Sequence, residues 1–186
     1  LFPYTTLFRS LRYGSLSDPR VEVVNEDAFG FTAEAEQDYD VVLVDLVDPS
    51  NEKLAKLYSV ELYRQIDALL AADGVMVTQA TSSFFSPHAF SIVASTVSAG
   101  QPDRRVYPYS TNIPSFGEWG FVLSTRDPGQ LLAGALPSGL TYQSAPLLRF
   151  IVVDNPPTTE PSEPSTLLHP RIVETYNSDM RQWRYY

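Results

Sequence analysis

Two aspartates three residues apart, Asp45 and Asp48, dominate the chemistry this sequence could perform. Asp45 follows the apolar run Val41–Val44, and Asp48 precedes a proline-led loop at Pro49. Two carboxylates in one cleft can hold a cationic amine, and one with a suitable pKa can take its proton. An amine bound as ammonium is not a nucleophile, so such a base is what activates it. The plainer alternative is that both residues cap a turn, because Asp-Pro pairs are common turn formers. Asp27 is open in the same way, as a helix N-cap or as an acceptor for a ligand's amino group. Gln79 either satisfies backbone at a strand end or orients a ligand. His88 reads as a surface residue with no role. Phe84, Phe85 and the Tyr and Trp residues read as packing, although an aromatic wall would suit an adenine or an alkyl chain.

Composition narrows the partners. The 186 residues make about one domain. With 44% hydrophobic and 19% charged residues, the chain can bury a core. Thirteen Lys and Arg against twenty-two Asp and Glu give a net charge of −9. That balance argues against nucleic acid, whose binding relies on Lys and Arg neutralising phosphates, and suits a cationic or neutral ligand. There is no cysteine, and the two histidines, His88 and His169, are far apart. Disulfides, a thiolate nucleophile and a Cys/His zinc site are therefore not expected. No apolar stretch approaches the roughly 18 residues that would span a bilayer.

The elements that must position these residues alternate in type. Val21–Val24, bounded by Asp18-Pro19, reads as a short strand. Ala28–Glu36 follows as a helix, with Asp27 placed to cap it. Val41–Val44 lacks polar alternation, the pattern of a central parallel strand covered on both faces. The spacing of Leu62, Ile66, Leu69 and Leu70 predicts a helix over Ser59–Ala72, with Ser59 as N-cap and Gly74 as C′ residue. Val75–Thr78 is a further buried strand. Ser86-Pro87 supplies an N-cap and a proline at the first helical position, and that helix runs to Gly100. Val106–Tyr109 and Trp119–Ser124 are two more strands. The alternation implies an α/β sheet, mostly parallel, with helices on both faces. Ligands in such sheets sit beyond the carboxyl ends of the strands, so Asp27, Asp45 and Gln79 are expected on one edge.

Both ends differ from this middle. Leu1–Ser10 (LFPYTTLFRS) resembles a translated sequencing adapter and is expected to be non-native. Asn155–Ser165 holds four prolines among Ser, Thr and Glu, and reads as an extended, exposed linker. Arg171–Tyr186 spaces Ile172, Val173, Tyr176, Met180 and Trp183 as an amphipathic helix that could dock back on the domain.

The segments DPRVEVVNEDAF (Asp18–Phe29), YDVVLVDLVDP (Tyr39–Pro49), KLYSVELY (Lys56–Tyr63), DGVMVTQATSSFF (Asp73–Phe85) and IPSFGEWGFVLST (Ile113–Thr125) together resemble the spermidine/spermine synthase family of polyamine aminopropyltransferases. Order and spacing hold from Asp18 to Thr125 and fade beyond it. DPSNEKLAKLYS and PSFGEWGF resemble a bacterial subgroup with membrane helices ahead of a cytoplasmic catalytic domain, anchored in the inner membrane. The resemblance implies a methyltransferase-like Rossmann fold, of which this chain would be the C-terminal part, with the first strands missing. It implies aminopropyl transfer from decarboxylated S-adenosylmethionine, a co-substrate, to a diamine, usually putrescine, giving spermidine. No metal or prosthetic group is implied, and family members commonly form homodimers.

Carried over residue by residue, the resemblance makes Asp45 the base and Asp48 a carboxylate holding the substrate amine. Asp27 would accept from the adenine amino group, with Ala28 beside the ring. Gln79 would lie near the diamine. Tyr109 is the substrate-site tyrosine, with Tyr107 the alternative if the alignment shifts by two residues. The family's glycine-rich loop, its ribose-binding acid, its N-terminal hairpin domain and a Tyr-Gln pair have no counterpart here and are expected before Leu11. The expected organisation is thus a non-native segment 1–10, a partial catalytic domain 11–126, and a C-terminal extension 127–186. On that reading the fragment alone is inactive, and Val21–Val24 is orphaned from its sheet neighbours. Two alternatives share the fold or the acidic cleft: an S-adenosylmethionine-dependent methyltransferase, and a non-catalytic polyamine-binding module.

Overall fold

Asp27 opens the first described α-helix, α1 (Ala28–Glu34), as the sequence predicts. Its Oδ1 accepts from the Phe29 and Gly30 amides at 3.0 and 3.3 Å, two donors that have no partner inside the helix. The computed structural model describes residues 15–36, 38–113, 117–127, 129 and 145–183, so the expected non-native segment 1–10 lies outside the described residues. After α1 come β1 (Tyr39–Val44), a single-turn helix α2 (Glu52–Ala55), and α3 (Val60–Leu69), the last capped by Ser59. They are followed by β2 (Leu70–Gln79), α4 (Pro87–Gly100), β3 (Arg105–Ile113) and β4 (Gly117–Thr125). The C-terminal region adds α5 (Ala145–Arg149), a π-helical turn Phe150–Asp154, and α6 (Arg171–Arg181). Among the described residues no helix is long and apolar enough to cross a membrane.

The four strands form one sheet in the order β1-β2-β4-β3. β1 and β2 are parallel, whereas β2/β4 and β3/β4 are antiparallel. The α/β class therefore holds, but the described sheet is mixed rather than mostly parallel. The cause is local: only residues 114–116 join β3 to β4, far too few for a parallel crossover. β3 lies at an edge, where Pro108 can pair with Val122 without disrupting a second ladder.

The core lies where α3 and α4 meet the sheet. Leu62, Tyr63 and Ile66 of α3 join Phe90, Val93 and Val97 of α4, Met76 and Val122 of the sheet, and Ile172 of α6. The close approach of α4 to the sheet requires glycine at position 120. A Cβ there would stand 2.6 Å from the Phe90 ring and 2.9 Å from the Thr81 carbonyl oxygen. Gly120→Ala should therefore cost about 1–3 kcal/mol through overpacking. Urea unfolding that left the midpoint unchanged would show that Phe90 yields freely, contrary to this packing.

Four local expectations change. β1 occupies an edge of the described sheet: Val42 and Val44 pack on the core, but Val41 and Leu43 are 58% and 74% exposed. Residues 21–24, expected as a strand, form none among the described residues and stay exposed, where water can satisfy their backbone groups. α3 stops at Leu69 because Leu70 already pairs with Tyr39, and Gly74 lies inside β2 instead of ending a helix. Ser86 does not cap α4. Its hydroxyl is taken by Thr81 Oγ1 at 2.9 Å and the Ser82 carbonyl at 3.0 Å.

Candidate active site

Because β1 and β2 are parallel, their carboxyl ends reach the same edge, and the ladder closes at Val44 opposite Thr78. Asp45 follows β1 directly and Gln79 is the last residue of β2. Asp45, Asp48 and Gln79 line one groove of about 640 Å³, whose other walls are apolar and include Leu43, Val77, Ile113, Trp119 and Phe121. Tyr109 stacks on Phe121, with ring centroids 5.4 Å apart, which places it beside this groove. Burial raises its phenol pKa above the ordinary value. Tyr107 pairs with Leu123, one repeat further along the ladder.

The two aspartates have different surroundings. Asp45 is exposed and accepts no hydrogen bond from the described residues. Asp48 is half-buried, and its Oδ2 accepts from the Tyr176 hydroxyl at 2.8 Å. Gln79 Nε2 donates to the Leu46 carbonyl and the Tyr58 hydroxyl, each at 2.6 Å, and lies 3.4 Å from Asp48 Oδ1. An amide nitrogen has two protons, so the two short bonds use both and the contact to Asp48 is weak. Gln79 Oε1 accepts from the Thr81 amide at 2.8 Å. The Tyr58 hydroxyl in turn donates to the Val47 carbonyl at 3.0 Å. Burial pushes the Tyr58 phenol well above its ordinary pKa, which keeps it a donor.

Asp27 and Ala28 stand apart from that groove. Both are exposed at the start of α1 and neither lines it. Asp27 Oδ2 accepts from Lys56 Nζ at 2.7 Å, and that bond is the main reason its carboxyl lies below the usual range. The structure thus groups Asp45, Asp48 and Gln79, adds Tyr109 beside them, and keeps Asp27 and Ala28 at a neighbouring helix start.

The sequence reading missed two tyrosines, Tyr58 and Tyr176. Their only signals were the KLYS segment and one position on the amphipathic face of the last helix. It also underrated the C-terminal region. Residues 155–165 have no regular secondary structure and are largely exposed, and they form a strap rather than a loose linker. The Glu160 amide bonds Ser91 Oγ at 3.1 Å, the Ser165 amide bonds Thr96 Oγ1 at 2.9 Å, and Ser165 is fully buried.

Asp179 of α6 supplies the cap that Ser86 does not. Its Oδ2 accepts from the His88 and Ala89 amides at 3.1 and 3.0 Å, and its Oδ1 lies 2.7 Å from His88 Nδ1. His88 is therefore an exposed residue with a structural partner, not an idle one. The hydrogen bond to Asp179, together with the charges of Asp179 and Glu160, raises its pKa. A raised histidine stabilises the fold fully below its unfolded pKa of about 6.5 and loses that contribution as pH climbs through the folded value. Since the ring is 60% exposed, the effect should be about 1 kcal/mol or less. The melting temperature of wild type should exceed that of His88→Gln at pH 5.5, with the gap narrowing by pH 8.5. A gap independent of pH would refute the charged pair.

The sequence profile of the Spermine/spermidine synthase domain matches residues 5–130. Polyamine aminopropyltransferase 1 of Streptomyces coelicolor is 42% identical over 185 residues, covering 96% of this chain and 33% of that protein. The polyamine aminopropyltransferase of Corynebacterium efficiens is 40% identical over 175 residues, covering 91% of this chain and 33% of its own length. These alignments continue well past Thr125, where the resemblance of the motifs fades. The chain spans about one third of the length of these curated relatives. Among solved structures, the spermidine synthase of Thermotoga maritima superimposes with a TM-score of 0.55 at 25% identity, over 69% of this chain and 43% of that one. A spermidine synthase in complex with the transition state analogue AdoDATO gives a TM-score of 0.57 at 24% identity, over 69% and 44% of the two chains. The fold is the methyltransferase-like α/β fold of these enzymes. With the profile covering more than half of its residues, the chain belongs to the spermine/spermidine synthase family.

Proposed function

We propose that this chain forms the amine-binding and proton-accepting part of a polyamine aminopropyltransferase. In the whole protein an aminopropyl group would pass from decarboxylated S-adenosylmethionine to a diamine, with putrescine the proposed acceptor. The observation that carries this reading is the contrast between the two aspartates in one apolar groove. Asp45 is exposed and accepts no hydrogen bond from the described residues, which leaves it open to accept a proton, while Asp48 is held by Tyr176 and suited to hold an ammonium group.

Asp45 takes the proton of the attacking amine. The nitrogen then bonds to the aminopropyl carbon attached to sulfur as that carbon–sulfur bond breaks. The bond's electrons neutralise the sulfonium, which leaves as the thioether of methylthioadenosine. The apolar walls, Leu43, Val77 and Phe121, suit the methylene chain of a diamine, and Tyr109 extends the aromatic wall. Asp27 suits the expected role toward the adenine amino group, because among the described residues Oδ2 accepts from Lys56 alone and a carboxylate oxygen has a second acceptor site. Ala28, exposed at the same helix start, leaves room beside Asp27 for a ring.

The test uses a protein of the relatives' full length that contains this chain. Incubation with decarboxylated S-adenosylmethionine and putrescine should release methylthioadenosine and spermidine in equal amounts. Absence of both products would reject the reading, and a methylated amine formed from S-adenosylmethionine would replace it with methyl transfer.

A further inference from the structure

Among the described residues, the short hydrogen bond to Asp48 comes from a residue 128 positions away. Gln79, the obvious neighbour, has committed both amide protons to Leu46 and Tyr58 and approaches Asp48 only to 3.4 Å. The Tyr176 hydroxyl stands 2.8 Å from Asp48 Oδ2. Tyr176 belongs to α6, and this helix is well anchored. Ile172 is buried in the core, and Asp179 caps α4. Asn177 adds a second tie to the same loop, its Nδ2 donating to the Ser50 carbonyl at 3.1 Å.

We propose that Tyr176 is a positioning residue that fixes the Asp48 carboxylate for the ammonium end of the diamine, so that the C-terminal helix sets amine affinity. The inference rests on the proposed aminopropyltransferase reading, since it takes Asp48 as the ammonium partner. A carboxylate held by one oxygen keeps the other, with its remaining lone pairs, turned to a single set of directions. Without the phenol it would sample several rotamers and take water in place of the ring hydroxyl. Burial, then the hydrogen bond to Asp48 and its charge, hold the Tyr176 phenol above its ordinary pKa, so it stays a donor at neutral pH. Phenylalanine at this position keeps the ring packing and removes only that donor.

Tyr176→Phe should raise the KM for putrescine roughly tenfold, the scale of one hydrogen bond to a charged group. Its kcat and its KM for decarboxylated S-adenosylmethionine should stay within about twofold, and its melting temperature close to wild type. A purely structural role would instead lower kcat and melting temperature together. The decisive measurement is a double-mutant cycle in the active protein. Asp48→Asn alone should raise the putrescine KM, and adding Tyr176→Phe should change it no further. If Tyr176→Phe leaves the KM unchanged while Asp48→Asn raises it, the positioning role is wrong and the function stands. If the two substitutions add independently, the coupling is absent and the proposal fails. If Tyr176→Phe does not fold, Tyr176→His, which keeps a ring donor, should restore folding and a KM nearer wild type, and failure to do so overturns the role. If wild type releases no methylthioadenosine, the parent reading falls and takes this inference with it.

Discussion

Replacing Asp45 with asparagine should lower turnover by roughly two to four orders of magnitude, the usual scale for loss of a general base. Asparagine keeps the shape and most of the hydrogen bonding of aspartate but cannot accept the amine proton. The exposed position of Asp45 makes the experiment clean, because no hydrogen bond from the described residues is broken. Stability should therefore change by less than about 0.5 kcal/mol, as for surface substitutions generally. Nucleotide affinity should hold as well, since Asp27 and Ala28, the residues proposed to meet the adenine, do not line the groove. The assay follows methylthioadenosine release under saturating putrescine. Turnover within threefold of wild type would leave Asp45 as a simple strand-end residue and would move the search for a base to Asp48.

Phe90→Ala should give the largest loss of stability, about 3–5 kcal/mol, because the ring is fully buried and its removal opens a cavity. Gly120 faces this ring with no side chain to fill the space. For a domain of this size the melting temperature should drop by roughly 6–20 °C. The consequence reaches the site, because Gly120 pairs with Ala80 and Thr81, which directly follow Gln79. Calorimetry that found a loss under 1 kcal/mol would mean the core around α4 collapses without cost. Phe90→Leu should recover most of the loss, which separates cavity formation from a change of fold.

Much of the framework was legible because its causes are local. The period of Leu62, Ile66 and Leu69 sets α3, and the side chains of Asp27 and Ser59 cap the helices that follow them. The aliphatic runs at 41–44 and 75–78 formed strands with their ends together, which places Asp45 and Gln79 on one edge. What stayed hidden depends on distant partners. Whether Val41 is covered depends on which strand lies beside it, and a continuous aliphatic run looks the same at a centre or an edge. Ser86-Pro87 is a sound local cap signal, yet a carboxylate 90 or more residues later outcompetes it. The partners of Asp48 are similarly remote, at separations of 31 and 128 residues, so no spacing rule could connect them.

The Asp48–Tyr176 bond also has a bearing on synthesis. A ribosome adds about 5–20 residues per second, so the 128 residues between these partners take roughly 6–26 seconds to appear. During that interval β1, α3 and β2 can already form from near neighbours, while the acidic loop waits for the helix that will hold it. The nascent chain would thus acquire these elements early, and the acidic groove its tyrosine partner only once α6 has emerged.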